Sequence, residues 1–306
     1  MCRKDSDDDD FWFPDARRGA AAVYWENVTR GWMEVMTMPM EHGIRLGGPV
    51  YLESRIKTAL KRFDWVYIGS EFCENLLETA VCSEAVRYQE MGKKVCLLTP
   101  LLTEKGVERL AAILTGLLKL IRAGRLDADR LEITINDFGA LELAVGKKLP
   151  FSLNAGRQFS DNFFAREMDS IMIPNDLSLD FLAKRGISRY ELSTTGTKPG
   201  TNYGLPGSWF PSEKFSLTLY YPYLPLTTTR TCMVGMQYIG PENSMRGIDC
   251  RRECRACAFK VVHPGIKETL LVRGNTVFLE FPRQFYSSRK ELDGLRVDRL
   301  VYCPFP

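Results

Sequence analysis

Short apolar runs, separated by polar loops and helical stretches, organise the chain from about Tyr51 onward. The runs Trp65–Ile68, Lys94–Leu98, Leu131–Ile135, Phe151–Leu153, Ser170–Ile173, Tyr190–Leu192 and Ser216–Tyr220 read as strands. The clearest intervening helix spans Glu104–Ile121. There Val107, Leu110, Ala111, Leu114, Leu117, Leu118 and Ile121 recur at helical spacing, with Thr103 placed to cap and Gly124 placed to stop. Such a stripe is core packing. Two later runs, Asn275–Phe281 and Leu295–Tyr302, read as strands that end the domain. Strand–helix alternation with apolar strands predicts an α/β fold in which helices cover a largely parallel sheet, most naturally closed as a TIM-like (β/α) barrel. Functional groups are then expected on loops at the strands' C-terminal ends.

Residues 1–45 break this pattern. The acidic run Asp7–Asp10, Arg17, Arg18 and scattered aromatics suggest an N-terminal tail and extension, leaving residues 46–306 as the barrel domain. The start has no apolar signal core, and no run of about 18 uncharged apolar residues follows, so the expectation is a soluble, cytoplasmic protein without membrane insertion. Basic residues exceed acidic ones by only three, 41 against 38, which gives no global reason to expect an anionic partner.

Nine cysteines change the picture. A reducing compartment would keep most of them as thiols, so a disulfide framework does not account for them. Cys232, Cys250, Cys254 and Cys257 crowd one loop-rich stretch, the cysteine-rich C-terminal loop region. Soft thiolate ligands suit iron–sulfur clusters, and four in a compact knuckle suit structural zinc as well. Local spacing admits both. Arg251, Arg252, Arg255 and Lys260 would offset the charge of a tetrathiolate site, or simply be solvated. Cys96 lies within an apolar strand and reads as a small buried hydrophobe, whereas Cys2, Cys82 and Cys303 have no obvious partners. Cys73 directly follows the first strand, in a loop where a barrel keeps its functional groups, although a surface thiol is the plainer reading.

Three segments in order, Asp64–Cys73 (DWVYIGSEFC), Ile173–Lys184 (IPNDLSLDFLAK) and Tyr223–Cys232 (YLPLTTTRTC) followed by Asp249–Cys254 (DCRREC), together resemble the peptidase U32 family. The pattern is similar to that of the subunits for oxygen-independent hydroxylation in anaerobic ubiquinone biosynthesis. The resemblance covers roughly residues 50–260 and implies a [4Fe–4S] cluster on Cys73, Cys232, Cys250 and Cys254. Cys257 is then surplus, or replaces Cys254 if the residues are aligned differently. It also implies a redox modification of an aromatic ring or nucleobase, with a small-molecule or RNA substrate, and a heterodimer with a second U32-like subunit. A non-catalytic cluster- or zinc-binding subunit is the alternative. The chain departs from the family at YYPYLPL, where members commonly carry a polar pair before Pro–Leu, and at Arg230, two residues before Cys232 rather than adjacent.

Two further loops fall at predicted strand ends. One carries Asn136 and Asp137, the other Arg157 and Asn162; fixed amide and carboxylate groups, and an Arg able to clamp a carboxylate, make them substrate-binding candidates. Self-bonding turns are the competing reading. The resemblance implies that these loops line the cavity. Histidine is scarce, with only His42 and His263, and no HExxH segment exists, so protease chemistry is poorly supplied despite the family's name.

Overall fold

A computed structural model describes residues 11–12, 40–46, 60–160, 165–167, 170–172, 176–193, 200–201, 215–235, 250–255, 258–280 and 289–305. In chain order its strands are β1 (Phe11–Trp12), β2 (Glu41–Arg45), β3 (Trp65–Gly69), β4 (Lys94–Leu98), β5 (Leu131–Ile135), β6 (Ser152–Ala155), β7 (Ala165–Glu167), β8 (Ser170–Met172), β9 (Ile187–Ser193) and β10 (Gly200–Thr201). These are followed by β11 (Ser216–Tyr221), β12 (Tyr223–Thr228), β13 (Ala258–His263), β14 (Ile266–Arg273), β15 (Thr276–Glu280) and β16 (Val297–Tyr302).

Strand periodicity explains the closure. Along β3, Val66 and Ile68 pack outward among the helices, whereas Trp65 and Tyr67 join a separate cluster inside. β4 repeats this with Val95 and Leu97 outside and Cys96 and Leu98 inside. Strands buried on both faces suit a parallel sheet, and β2, β3, β4, β5, β6, β9, β11 and β16 pair in parallel around a closed barrel in which β16 returns to β2. The α/β TIM-like barrel expected from the pattern is therefore present. Helices Val81–Glu90, Glu104–Arg122 and Phe138–Gly146 follow β3, β4 and β5. The long one bears Leu110, Ile113, Leu114 and Leu117 on its buried side, and Thr103 caps it by accepting from the Gly106 amide. No helix among the described residues is long and apolar enough to cross a membrane.

Two expectations shift. The first barrel strand is Glu41–Arg45, inside the stretch read as an extension, so the barrel begins before residue 46. Its sequence, EHGIR, lacks an apolar run because Glu41 and Arg45 face polar partners. Ser170–Met172 is a strand but lies outside the barrel, in a small sheet of order β10-β8-β7.

The remaining strands form an antiparallel sheet of order β1-β13-β14-β15-β12. Its Tyr223, Leu271 and Phe278 pack with the barrel's inner residues, and Phe278 meets Phe72 edge-to-face at 5.2 Å. This sheet covers the C-terminal mouth. The opposite end of the barrel is tied by Arg299, which donates to Glu132 and Glu41 and lies 3.8 Å over the Trp65 ring.

Candidate metal centre

β3 delivers the first cysteine. Gly69 ends the strand at φ +91°, where a Cβ would sit 2.7 Å from the Leu98 carbonyl oxygen, so only glycine makes this turn without strain. The next residues form a tight loop in which Ser70 Oγ donates to the Cys73 carbonyl at 2.6 Å and accepts from the Cys73 amide at 3.3 Å. Glu74 then fastens the loop to the start of the helix Glu104–Arg122, accepting from Thr103 N at 2.7 Å and Thr103 Oγ1 at 2.9 Å. Cys73 thus stands between two anchored neighbours.

Cys232 follows β12, and its sulfur accepts the Gly235 amide at 3.3 Å. Cys250 and Cys254 lie in a short segment ending in a 3-10 turn, Glu253–Arg255, with Cys254 buried. Two of the basic residues expected to be solvated or charge-balancing have a carboxylate partner. Arg252 and Arg255 both pair with Glu78, which lies five residues beyond Cys73, and the Arg255 contact is 3.0 Å. The stretch after Cys73 and the Cys250–Arg255 segment are thereby joined by charge.

The four thiols lie within electrostatic range of one another. Every pair among Cys73, Cys232, Cys250 and Cys254 is close enough for one thiolate to disfavour ionisation of another. Burial is the leading cause that pushes Cys73, Cys232 and Cys254 upward, Cys254 to about 11 even though Arg273 beside it favours the thiolate. Uptake of a metal here would release protons. As placed, no three Cys, His, Asp or Glu side chains among the described residues form a group that could hold a metal ion. Four soft thiol donors within electrostatic reach of one another would suit either an iron–sulfur cluster or zinc once deprotonated. A cavity of about 60 Å³ opens against this site, walled by Cys73, Cys254, Gly274 and Asn275 and floored by Phe72 and Phe278.

No family model, characterised protein or solved structure matches this chain. The resemblance read from its motifs stands on those motifs alone.

The loops expected to line a cavity have internal partners. Arg157 does clamp a carboxylate through both nitrogens, but that carboxylate is the protein's own Glu71, with Nε to Oε1 at 2.5 Å and Nη2 to Oε2 at 2.6 Å. Arg157 also donates to Ser193 Oγ and the Tyr223 carbonyl, both at 2.9 Å, and is fully buried. Arg45 reaches the same Glu71 at 3.4 Å and donates to the Phe305 carbonyl at 2.6 Å. Together they close the barrel mouth beneath the cysteines. Asn136 is buried, donating to the Thr99 carbonyl at 2.6 Å and accepting from the Gln158 amide at 3.1 Å. Asp137 caps the helix Phe138–Gly146 through the Ala140 amide at 2.6 Å and also accepts from Leu102 N. All three side chains are engaged within the protein itself. Asn162 and Cys257 lie outside the described residues.

Among the other cysteines, Cys96 is buried in the barrel beside Thr134 Oγ1 at 3.1 Å, Cys303 is buried, and Cys82 packs near the Ile113 carbonyl. Sequence reasoning missed Glu71, Glu78 and Asn275. Only Asn275 carried a local signal, since Gly274-Asn275 between two apolar runs is a hairpin turn pattern.

Proposed function

We propose that this chain is an iron–sulfur protein holding a [4Fe–4S] cluster on Cys73, Cys232, Cys250 and Cys254. The observation that carries the reading is the meeting of Cys73, from the loop after β3, with three cysteines from late in the chain. A zinc knuckle confined to the late stretch needs no thiol from that loop. When bound, such a cluster supplies one-electron redox chemistry, its potential set by burial and hydrogen bonds to its sulfurs. The chain's own residues do the rest. Gly235 N–H donates to Cys232 Sγ, Phe72 and Phe278 line the cavity beside the thiols, and the Glu71–Arg157 pair lies buried beneath.

The resemblance of the three motifs to the peptidase U32 family supports the reaction class, an oxygen-independent hydroxylation or related redox modification of an aromatic ring or nucleobase, carried out alone or with a second U32-like subunit. Two measurements test this. Anaerobically purified chain is expected to carry about four iron and four sulfide with broad visible absorbance, whereas one zinc and no chromophore sinks the proposal. Cys73→Ala is expected to lose the cluster, whereas a purely local knuckle would keep its metal in that variant.

A further inference from the structure

The three cysteine-bearing segments share one attachment point, the two-residue turn between β14 and β15. Asn275, buried in this turn, donates its side-chain amide to the Phe72 carbonyl at 2.8 Å, one residue before Cys73, and to the Thr229 carbonyl at 2.6 Å, three residues before Cys232. Its own carbonyl accepts the Thr229 amide at 2.9 Å. The neighbouring Gly274, at φ +62°, accepts from the Val234 amide at 3.2 Å, two residues beyond Cys232. A Cβ on Gly274 would lie 3.4 Å from Cys254 Cβ, so the turn passes directly against that cysteine. Arg273 completes the set by donating Nε to the Cys254 carbonyl at 3.1 Å. Loops after β3 and β12 and the segment Cys250–Arg255 therefore hang from three consecutive residues, although Phe72 and Asn275 are 203 positions apart in sequence.

We propose that Asn275 is the positioning residue of the thiol site, holding Cys73 and Cys232 in register before any metal arrives. The inference rests on the four-cysteine reading above and adds to it the means of assembly. The chemistry is specific to a carboxamide. Two carbonyl oxygens converge on one side-chain nitrogen, and only an NH2 group serves both. Aspartate has nearly the same shape but presents an acceptor where two donors are required. It would face two carbonyl oxygens within a buried turn, so the loops must part to rehydrate them. The barrel does not depend on this junction, because its eight strands are paired with one another and not with the turn.

Asn275→Asp is the test, read in two ways. In anaerobic reconstitution with ferrous iron and sulfide, the variant should bind iron about 10- to 100-fold more weakly than wild type, the usual cost of removing a group that orients metal ligands. In the metal-free chains, iodoacetamide followed by peptide mass spectrometry should alkylate Cys73 and Cys232 faster in the variant, while far-ultraviolet circular dichroism stays that of wild type. Equal iron loading in the two proteins overturns the inference. If wild type itself takes up no cluster, the cluster reading fails separately, and the alkylation comparison still decides this one, unchanged rates counting against it. Should Asn275→Asp unfold, Asn275→Ser, which keeps one donor and adds no charge, carries the same comparison with the same outcomes.

Discussion

Glu191 sits fully buried on the inner face of β9, accepting from Thr134 Oγ1 at 2.9 Å and from the Tyr220 hydroxyl at 2.8 Å. Burial raises its pKa from 4.5 to about 8, partly opposed by the Tyr220 hydrogen bond and reinforced by the charge of Glu71. In the unfolded chain the carboxyl ionises near pH 4.5, but in the folded barrel it keeps its proton until about pH 8. Between those values rising pH removes a proton from the unfolded state alone, so stability falls by about 1.4 kcal/mol per pH unit and by about 5 kcal/mol over the window. Above pH 8 the deficit is constant, and below pH 4.5 it vanishes. Glu191→Gln abolishes this titration while keeping the shape. Gln, like the protonated carboxyl, turns a donor toward one of the two hydroxyls, but its second N–H lacks a partner, a loss of about 1 kcal/mol at any pH. The variant is therefore expected to be about 1 kcal/mol less stable than wild type at pH 4 and about 4 kcal/mol more stable at pH 9. Urea denaturation of both proteins from pH 4 to pH 9 at constant ionic strength measures the difference, in which titrating groups not coupled to Glu191 cancel. Curves that stay parallel across this range would refute the assignment of a buried, neutral Glu191.

Two other changes probe the framework beneath the cysteines. Arg157→Met leaves Glu71 buried with only the 3.4 Å contact to Arg45, and should lower stability by about 3 to 5 kcal/mol, read as the urea midpoint; a loss below about 1 kcal/mol would show that Glu71 has other means of neutralisation. Gly69→Ala forces a side chain into φ +91° and against the Leu98 carbonyl, so about 2 kcal/mol of destabilisation is expected in thermal unfolding, and an unchanged midpoint would contradict the close approach.

Lys94–Leu98 and Leu131–Ile135 match their strands to the residue because both outward faces are apolar and turn or polar residues bound them, Gly92 and Pro100 about the first and Arg130 and Asn136 about the second. The same logic hides β2. Its inner positions are filled by Glu41 and Arg45, charged groups whose partners are Lys94 and Arg299 on other strands and Glu71 in the loop after β3, so no local run of apolar residues announces it. Ser170–Met172 has the pattern of a barrel strand and pairs elsewhere, since short apolar runs specify extended backbone but not the sheet they join. At the site, residue type was legible and partnership was not. Four cysteines could be picked out by kind and order, and Arg157 by its capacity to clamp a carboxylate. That the carboxylate would be Glu71, or that Glu78 would hold Arg252 and Arg255, depends on contacts between positions about 90 and 170 residues apart, which no periodicity encodes.

The division between Glu71 and Cys73 bears on how the site tolerates change. Two residues apart on one loop, they serve opposite sides of the barrel mouth. Glu71 turns down to Arg157 and seals the interior, while Cys73 faces the covering sheet, where Asn275 fixes the carbonyl between them. Phe72 links the two, its ring 5.4 Å from the Arg157 guanidinium and 5.2 Å from Phe278. A perturbation on the sheet side can part the cysteines while the Glu71–Arg157 pair holds the barrel shut. Loss of that pair, in contrast, releases the base on which the whole loop rests. Thiol geometry should therefore fail before the barrel does, and never the reverse.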